Sequence, residues 1–438
     1  MIVFLIMIVE ILFCFAFKSV IVNTEYVSMI LIGINLIIAY FFILTNKKMN
    51  KTYKVIIIIS LTIRIAMVFV DQYVYSLPNS DKHGDAGGYN RTALEISDDS
   101  ELLKLGNKEI YGGLYSKIVG ILYFLTGNQR LFVQSINCYL GIFSVIYVGK
   151  VLNMLTNIDE KTKKIIFCVT AFFPQGIILS AILHREALIA LLITLSMYFC
   201  IKSLYTNNVI EKILSCVLVL IASMFHAGVI VLIAGYILIY SFFNMKYKIV
   251  SKSITRKFIF LILCGALFFG YIKFGDIIAG KLTNLDSETL VNTMERSRGG
   301  SAYLTNIKIT GINSMILYSI PKAIYFMFSP MPWNWRSVTD VMTFVSDSCI
   351  YLYFIYNILQ LFFKMRKKEN MKKYMLFLLV GIFGTIITFG IGTYTAGAAM
   401  RHRHKLFYII VITYSLLLNY KKKEDDKNEK NSNIKYVD

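Results

Sequence analysis

The chain is poor in charge. Only 16% of its 438 residues are Asp, Glu, Lys or Arg, against 56% hydrophobic, and the mean hydropathy is +0.61. A water-soluble domain must cover its apolar surface with polar side chains, and this composition leaves too few. Acidic residues are scarcest, 26 against 46 basic, giving a formal net charge of +20 at pH 7. Such a balance can suggest nucleic acid, but the Lys and Arg sit in short clusters between apolar runs, as in loops facing the cytoplasm. The basicity therefore reports topology, and no nucleic-acid partner is expected. Paired cysteines are also missing: Cys14, Cys138, Cys168, Cys200, Cys216, Cys264 and Cys349 are scattered singly, mostly in apolar runs and without metal-ligand spacing, so they read as core residues. There is no internal repeat. The first apolar run lacks a small-residue cleavage site and reads as a retained anchor.

Long apolar runs are what the chain has in abundance. Stretches able to cross a membrane, at about 20 residues per ~30 Å, run over 2–19, 27–45, 54–72, 131–152, 165–183, 187–205, 213–226, 228–243, 258–275, 339–363, 374–391 and 405–420. Two further segments, 113–126 and 307–329, decide the sidedness of the rest. With Lys47, Lys48, Lys51 and Lys54 inside, residues 73–112 fall outside. If 113–126 dips in and returns, every basic loop (153–164, 202–212, 244–257, 364–373 and the tail from Lys421) lies inside, as the positive-inside rule asks. The same logic makes 307–329 re-entrant or interfacial. The expected fold is an all-α polytopic transmembrane bundle of about 12 crossings, both termini cytoplasmic, with one membrane domain over 1–420 and a disordered basic tail over 421–438.

This topology collects the remaining polar residues on the outer side, although none was used to choose it. They are Asp81, His83, Asp85 and Arg91 in "DKHGDAGGYNRTA"; His184, Arg185 and Glu186; Arg296 and Arg298 in "ERSRGGSAYL"; and Arg401, His402, Arg403 and His404. Charges at a membrane edge are costly and usually face a cavity, a partner or a substrate. Snorkelling explains isolated cases, but is a weaker account of Arg401 and Arg403 in an outer loop, where positive charge is disfavoured. Helix capping alone accounts for Glu186 in the first turn of its helix. "SPMPWNW", 329–335, reads as an interfacial aromatic belt before it reads as a sugar-stacking platform.

Guanidinium forks suit phosphate or pyrophosphate. The carboxylates suit a general base for a hydroxyl acceptor, or ligands of a divalent cation such as Mg or Mn, which the arginines make dispensable. Together they describe sugar transfer from a lipid-linked phosphate donor, with fixed cations stabilising the charge that develops on the leaving phosphate. The outer loops 73–112 and 276–338 are expected to form the site, with Asp85 or Asp81 as the base.

"FFPQGIILSAILHREALIALLITLSMYF", "RSRGGSAY" followed by "SPMPWNW", "GDAGGYNRTA" and "AMRHRHKLF" resemble patches of bacterial polytopic glycosyltransferases of the GT-C superfamily and of Wzy-type polysaccharide repeat-unit polymerases for O-antigen and capsule. The resemblance, four short patches between 81 and about 410, implies a GT-C-like enzyme at the outer face of a bacterial cytoplasmic membrane. Its donor would be an undecaprenyl-phosphate- or pyrophosphate-linked sugar, and its partners a glycan acceptor and membrane lipids. It matches Asp85 to the catalytic aspartate, Arg185 to the helix-head arginine and Arg401 or Arg403 to the late arginine. His83, Tyr89, Glu186, Arg296, Arg298 and His402 join these arginines as substrate-binding candidates. Three spans precede the aspartate here, where GT-C enzymes commonly have one, which favours a polymerase over a single-sugar transferase. A transporter or flippase would need repeat symmetry and midplane charges; only Glu10 and Arg64 lie within early spans.

Overall fold

The computed structural model describes residues 2–17, 23–81, 84–99, 110–244, 249–250, 300–307, 312–365 and 370–434. Their regular structure is helical apart from a two-residue antiparallel ladder, Phe243–Asn244 with Ile249–Val250, and an isolated bridge between Ala302 and Thr395. Among the described residues six helices are long and apolar enough to span a membrane, or seven if one bent pair counts as a single span. The chain is a multi-span membrane protein. The contacts divide it into two compact units, Met1–Ile146 with Phe167–Leu191, and Tyr147–Ile166 with Leu192–Asp438.

The first unit begins with α1 (Ile2–Ala16), α2 (Thr24–Thr45) and α3 (Lys51–Phe69), which ends in a π-helical turn over Val70–Val74. Asparagines start two of these helices: Asn23 accepts the N–H groups of Glu25 and Tyr26, and Asn50 that of Thr52. Then come α4 (Asp85–Asp98), α5 (Leu114–Thr126), α6 (Arg130–Met154), α7 (Glu160–Ala171), α8 (Pro174–Ala181) and α9 (Glu186–Thr206); α6, α7 and α9 each continue from one unit into the other. At ~1.5 Å per residue, the 13 residues of α5 fall short of a ~30 Å crossing.

The expected span over 165–183 is broken: α7 and α8 meet at a 41° bend. Pro174 has no N–H to continue the helix. The freed Ala171 carbonyl accepts Ser60 Oγ at 2.7 Å and Arg64 Nη2 at 3.3 Å. A break inside a membrane persists only where its backbone groups are satisfied in this way. Arg64, one of the two charges in early spans, therefore closes a helix break.

In the second unit follow α10 (Val209–Phe225), a 3₁₀ turn (Ala227–Val231), α11 (Leu232–Phe242), α12 (Ile312–Phe328), α13 (Val338–Thr343), α14 (Cys349–Lys364), α15 (Asn370–Ile391) and α16 (Ala396–Ile434). A Cβ on Gly235 would lie 3.0 Å from the Gly381 Cα, so α11 and α15 touch backbone to backbone, the small-residue packing of membrane helices. Residues 421–434, expected as a disordered tail, continue α16.

Among the described residues six or seven helices are long enough to span, against twelve crossings expected from the whole sequence. Three expected crossings are short helices, Phe4–Ala16, α10 and Ala227–Phe242; 405–420 is the apolar part of α16, and 258–275 lies outside the described residues.

Candidate functional site

The first unit concentrates polar side chains where α3, α4, α6 and α8 end or begin. Asp71, in the π-turn that closes α3, has a fully buried side chain. It accepts Leu77 N at 2.9 Å, Ser80 Oγ at 2.6 Å, Gln134 Nε2 at 2.8 Å and Gln72 Nε2 at 3.1 Å, with Arg130 Nη2 at 3.7 Å. Arg130 also donates to the Ser80 carbonyl at 3.2 Å. A buried carboxylate held this fully is an anchor: it folds the 75–80 loop onto α6 and fixes the approach to α4.

That approach ends at Gly84, and Asp85 opens α4. The helix N-terminus favours its negative charge. Tyr111 donates to Asp85 Oδ1 at 2.6 Å, and the Asp85 side chain keeps 33% of its surface open. The glycine beyond Asp85 explains how Tyr111 arrives: a Cβ at Gly88 would lie 2.3 Å from the Tyr111 ring, so only a bare backbone lets the ring cross the helix. Tyr89 is buried among Tyr111, Tyr115 and His184, with ring centroids at 5.6, 5.3 and 5.2 Å. Burial pushes the hydroxyls of Tyr89 and Tyr111 up, against the pull of Arg185, so both stay protonated at neutral pH.

His184 faces Asp85 from the break between α8 and α9. Its Nε2 lies 3.8 Å from Asp85 Oδ2 and makes no hydrogen bond among the described residues; its Nδ1 lies 2.9 Å from Glu186 Oε2. His184 is 1% exposed and Glu186 0%. The buried Glu186 carboxylate fixes the ring by accepting a hydrogen bond from Nδ1–H, which leaves Nε2 directed at Asp85. The break is held from α6: Asn137 Nδ2 lies within 3.1 Å of the Ile182 and His184 carbonyls, and Gln134 Nε2 donates to the Ala181 carbonyl at 3.1 Å. Arg185, between the two acid–base residues, has its guanidinium carbon 5.9 Å from the Tyr89 ring centroid, and its Nε has no hydrogen-bond partner among the described residues. It has donors to offer an anion.

The second unit holds the late arginines, two residues apart on α16 and differently used. Arg403 is 0% exposed. Its Nε donates to Asp347 Oδ2 at 2.7 Å and Nη2 to the same oxygen and to Ser348 Oγ. Its Nη1 serves the carbonyls of Met327 at 2.9 Å and Ser329 at 2.7 Å, with Phe326 at 3.3 Å. With every donor engaged, Arg403 ties the C-terminus of α12 to Asp347 and has none left for a ligand. Burial pulls the Arg401 guanidinium down to about 10, still charged at neutral pH. His402 stands with its Nδ1 2.8 Å from Lys405 Nζ and its ring against Phe389 and His226.

The structure thus brings Asp85, Tyr89, Arg185 and Glu186 together in one unit. Asp81 lies exposed on the loop before α4. His83, Arg296 and Arg298 lie outside the described residues. The sequence reading gave His184 no role and passed over Asp71, Arg130, Gln134, Asn137 and Tyr111. Asp71, Gln134 and Asn137 carried a signal, as polar residues inside apolar runs; Tyr111 carried none. Among the described residues no three His, Cys, Asp or Glu side chains are placed to hold a metal ion. No protein-family model, curated protein or solved structure shows significant similarity to this chain.

Proposed function

We propose that the chain is a GT-C-like membrane glycosyltransferase that transfers or polymerises undecaprenyl-phosphate- or pyrophosphate-linked sugars at the outer face of the cytoplasmic membrane. The observation that carries this reading is the alignment of Asp85, His184 and Glu186 beside Arg185, with one imidazole nitrogen open toward Asp85. Asp85 takes the proton of the acceptor hydroxyl as its oxygen bonds to the anomeric carbon. The sugar–phosphate bond breaks with its electron pair on the phosphate oxygen, whose charge Arg185 stabilises. His184, oriented by Glu186, then relays the proton away from Asp85.

The topology in this reading has twelve crossings: the six long helices, the α7–α8 pair, α1, α10, Ala227–Phe242, 258–275 and the apolar part of α16. The segments 113–126 and 307–329 dip into the outer leaflet or lie on it, and both termini are cytoplasmic. Transport is the weaker reading: broken helices mark transporter sites, yet here Ser60 and Arg64 close the broken backbone.

Deleting the chain from cells that carry it separates the readings by what accumulates. A polymerase leaves single lipid-linked repeat units outside and no long glycan. A single-sugar transferase leaves its acceptor unmodified, and a flippase leaves lipid-linked oligosaccharide on the cytoplasmic side. That last outcome, or an unchanged envelope, removes the proposal.

A further inference from the structure

Beyond the transfer chemistry, though resting on its premise that sugars are handled, the geometry points to a saccharide-stacking site in the second unit, built on Trp333 and Trp335. Trp333 is 71% exposed and Trp335 38%. An interfacial-belt tryptophan keeps its indole N–H for headgroups and water. Here both are used internally: Trp333 Nε1 donates to Tyr325 Oη at 2.9 Å, and Trp335 Nε1 to the Pro330 carbonyl at 3.2 Å. The rings are further braced by edge contacts, Trp333 with Tyr325 at 6.4 Å and Trp335 with Phe344 at 5.5 Å. What remains on offer is their faces, already fixed in orientation, so stacking costs little further entropy.

The brace reaches deeper. Tyr325 lies 5.3 Å from Tyr303, whose hydroxyl donates to the Thr393 carbonyl at 3.2 Å and whose N–H donates to the Tyr394 carbonyl at 3.0 Å. A polar group for hydroxyls follows in the chain: Arg336 is exposed. A flat apolar face with an exposed guanidinium next in the chain suits a pyranose, which has C–H groups on one face and hydroxyls around its rim. A lipid acyl chain would use the faces but not the guanidinium.

These two are the only tryptophans in the chain, so indole emission reads this site alone. The full chain in lipid nanodiscs is titrated with three trisaccharides, of N-acetylhexosamine, neutral hexose and hexuronic acid units. A saturable emission change with at least one of them is expected, with affinity falling tenfold or more in Trp333→Leu and persisting in Trp335→Phe. Silence with all three sugars, or unchanged affinity in Trp333→Leu, overturns the site. So does strong quenching of Trp333 by brominated acyl chains in the Trp335→Phe protein, which would make the pair a membrane belt. Asp85→Asn keeps the titration while losing transfer, so failure of the sugar site and failure of the transfer reading are distinguishable.

Discussion

Each unit buries an ionic cluster, but only in one is the guanidinium saturated. Around Arg403 the guanidinium engages Asp347, Ser348 and the carbonyls of Met327 and Ser329, leaving no free donor. Around His184, Nε2 faces Asp85 across 3.8 Å, and among the described residues neither it nor the neighbouring Arg185 Nε has a hydrogen-bond partner. A guanidinium with every donor engaged holds helices together, although Asp347 Oδ1 beside it has no hydrogen-bond partner among the described residues; an open imidazole nitrogen and an unpartnered guanidinium N–H are groups that a substrate can satisfy. The two clusters have similar residue types and opposite purposes.

The comparison breaks most sharply at His184. His184→Gln keeps an amide donor toward Glu186 but no base, and is expected to cut transfer by about 10²–10⁴-fold with little change in thermal unfolding of the purified protein. Arg403→Ala is expected to do the reverse, leaving Asp347 buried without its cation at a cost of about 3–5 kcal/mol; a melting curve in detergent reads it. If Arg403→Ala melts normally while glycan disappears, the roles of the two clusters are exchanged. Tyr111→Phe removes a bond to Asp85 worth about 1.5–3 kcal/mol. Gly88→Ala should match it in transfer assays, because the methyl occupies the ring's place; a Gly88→Ala protein with full activity refutes the Tyr111 contact. Smallest in consequence is Asp81→Cys, exposed on the loop before α4: an impermeant thiol reagent should label it from outside with activity nearly intact. Labelling only after the membrane is opened inverts the topology.

Membrane class and most helices were legible because apolar runs of about 20 residues have no other outlet. The break at Pro174 was visible as a residue, but not what repairs it, since Ser60 and Arg64 come from more than 100 positions away. In the site, Arg185 and Glu186 stood out as charges at a helix head. Only the resemblance favoured Asp85 over Asp81; the residues themselves did not separate them, since what distinguishes them is where α4 starts. Arg401 and Arg403 could not be separated either: two residues apart on a helix they point about 200° apart, and a string reading "RHRH" does not say which way is in. Glu186 was attributable to capping because its partner, His184, faces inward only when Asn137 and Gln134 hold the chain break.

The most direct measurement compares Asp85→Asn with Asp81→Asn in cells lacking the native chain, scoring surface glycan at matched levels of inserted protein. Asp85→Asn should yield no glycan and Asp81→Asn nearly the normal amount; full glycan from Asp85→Asn would contradict the account.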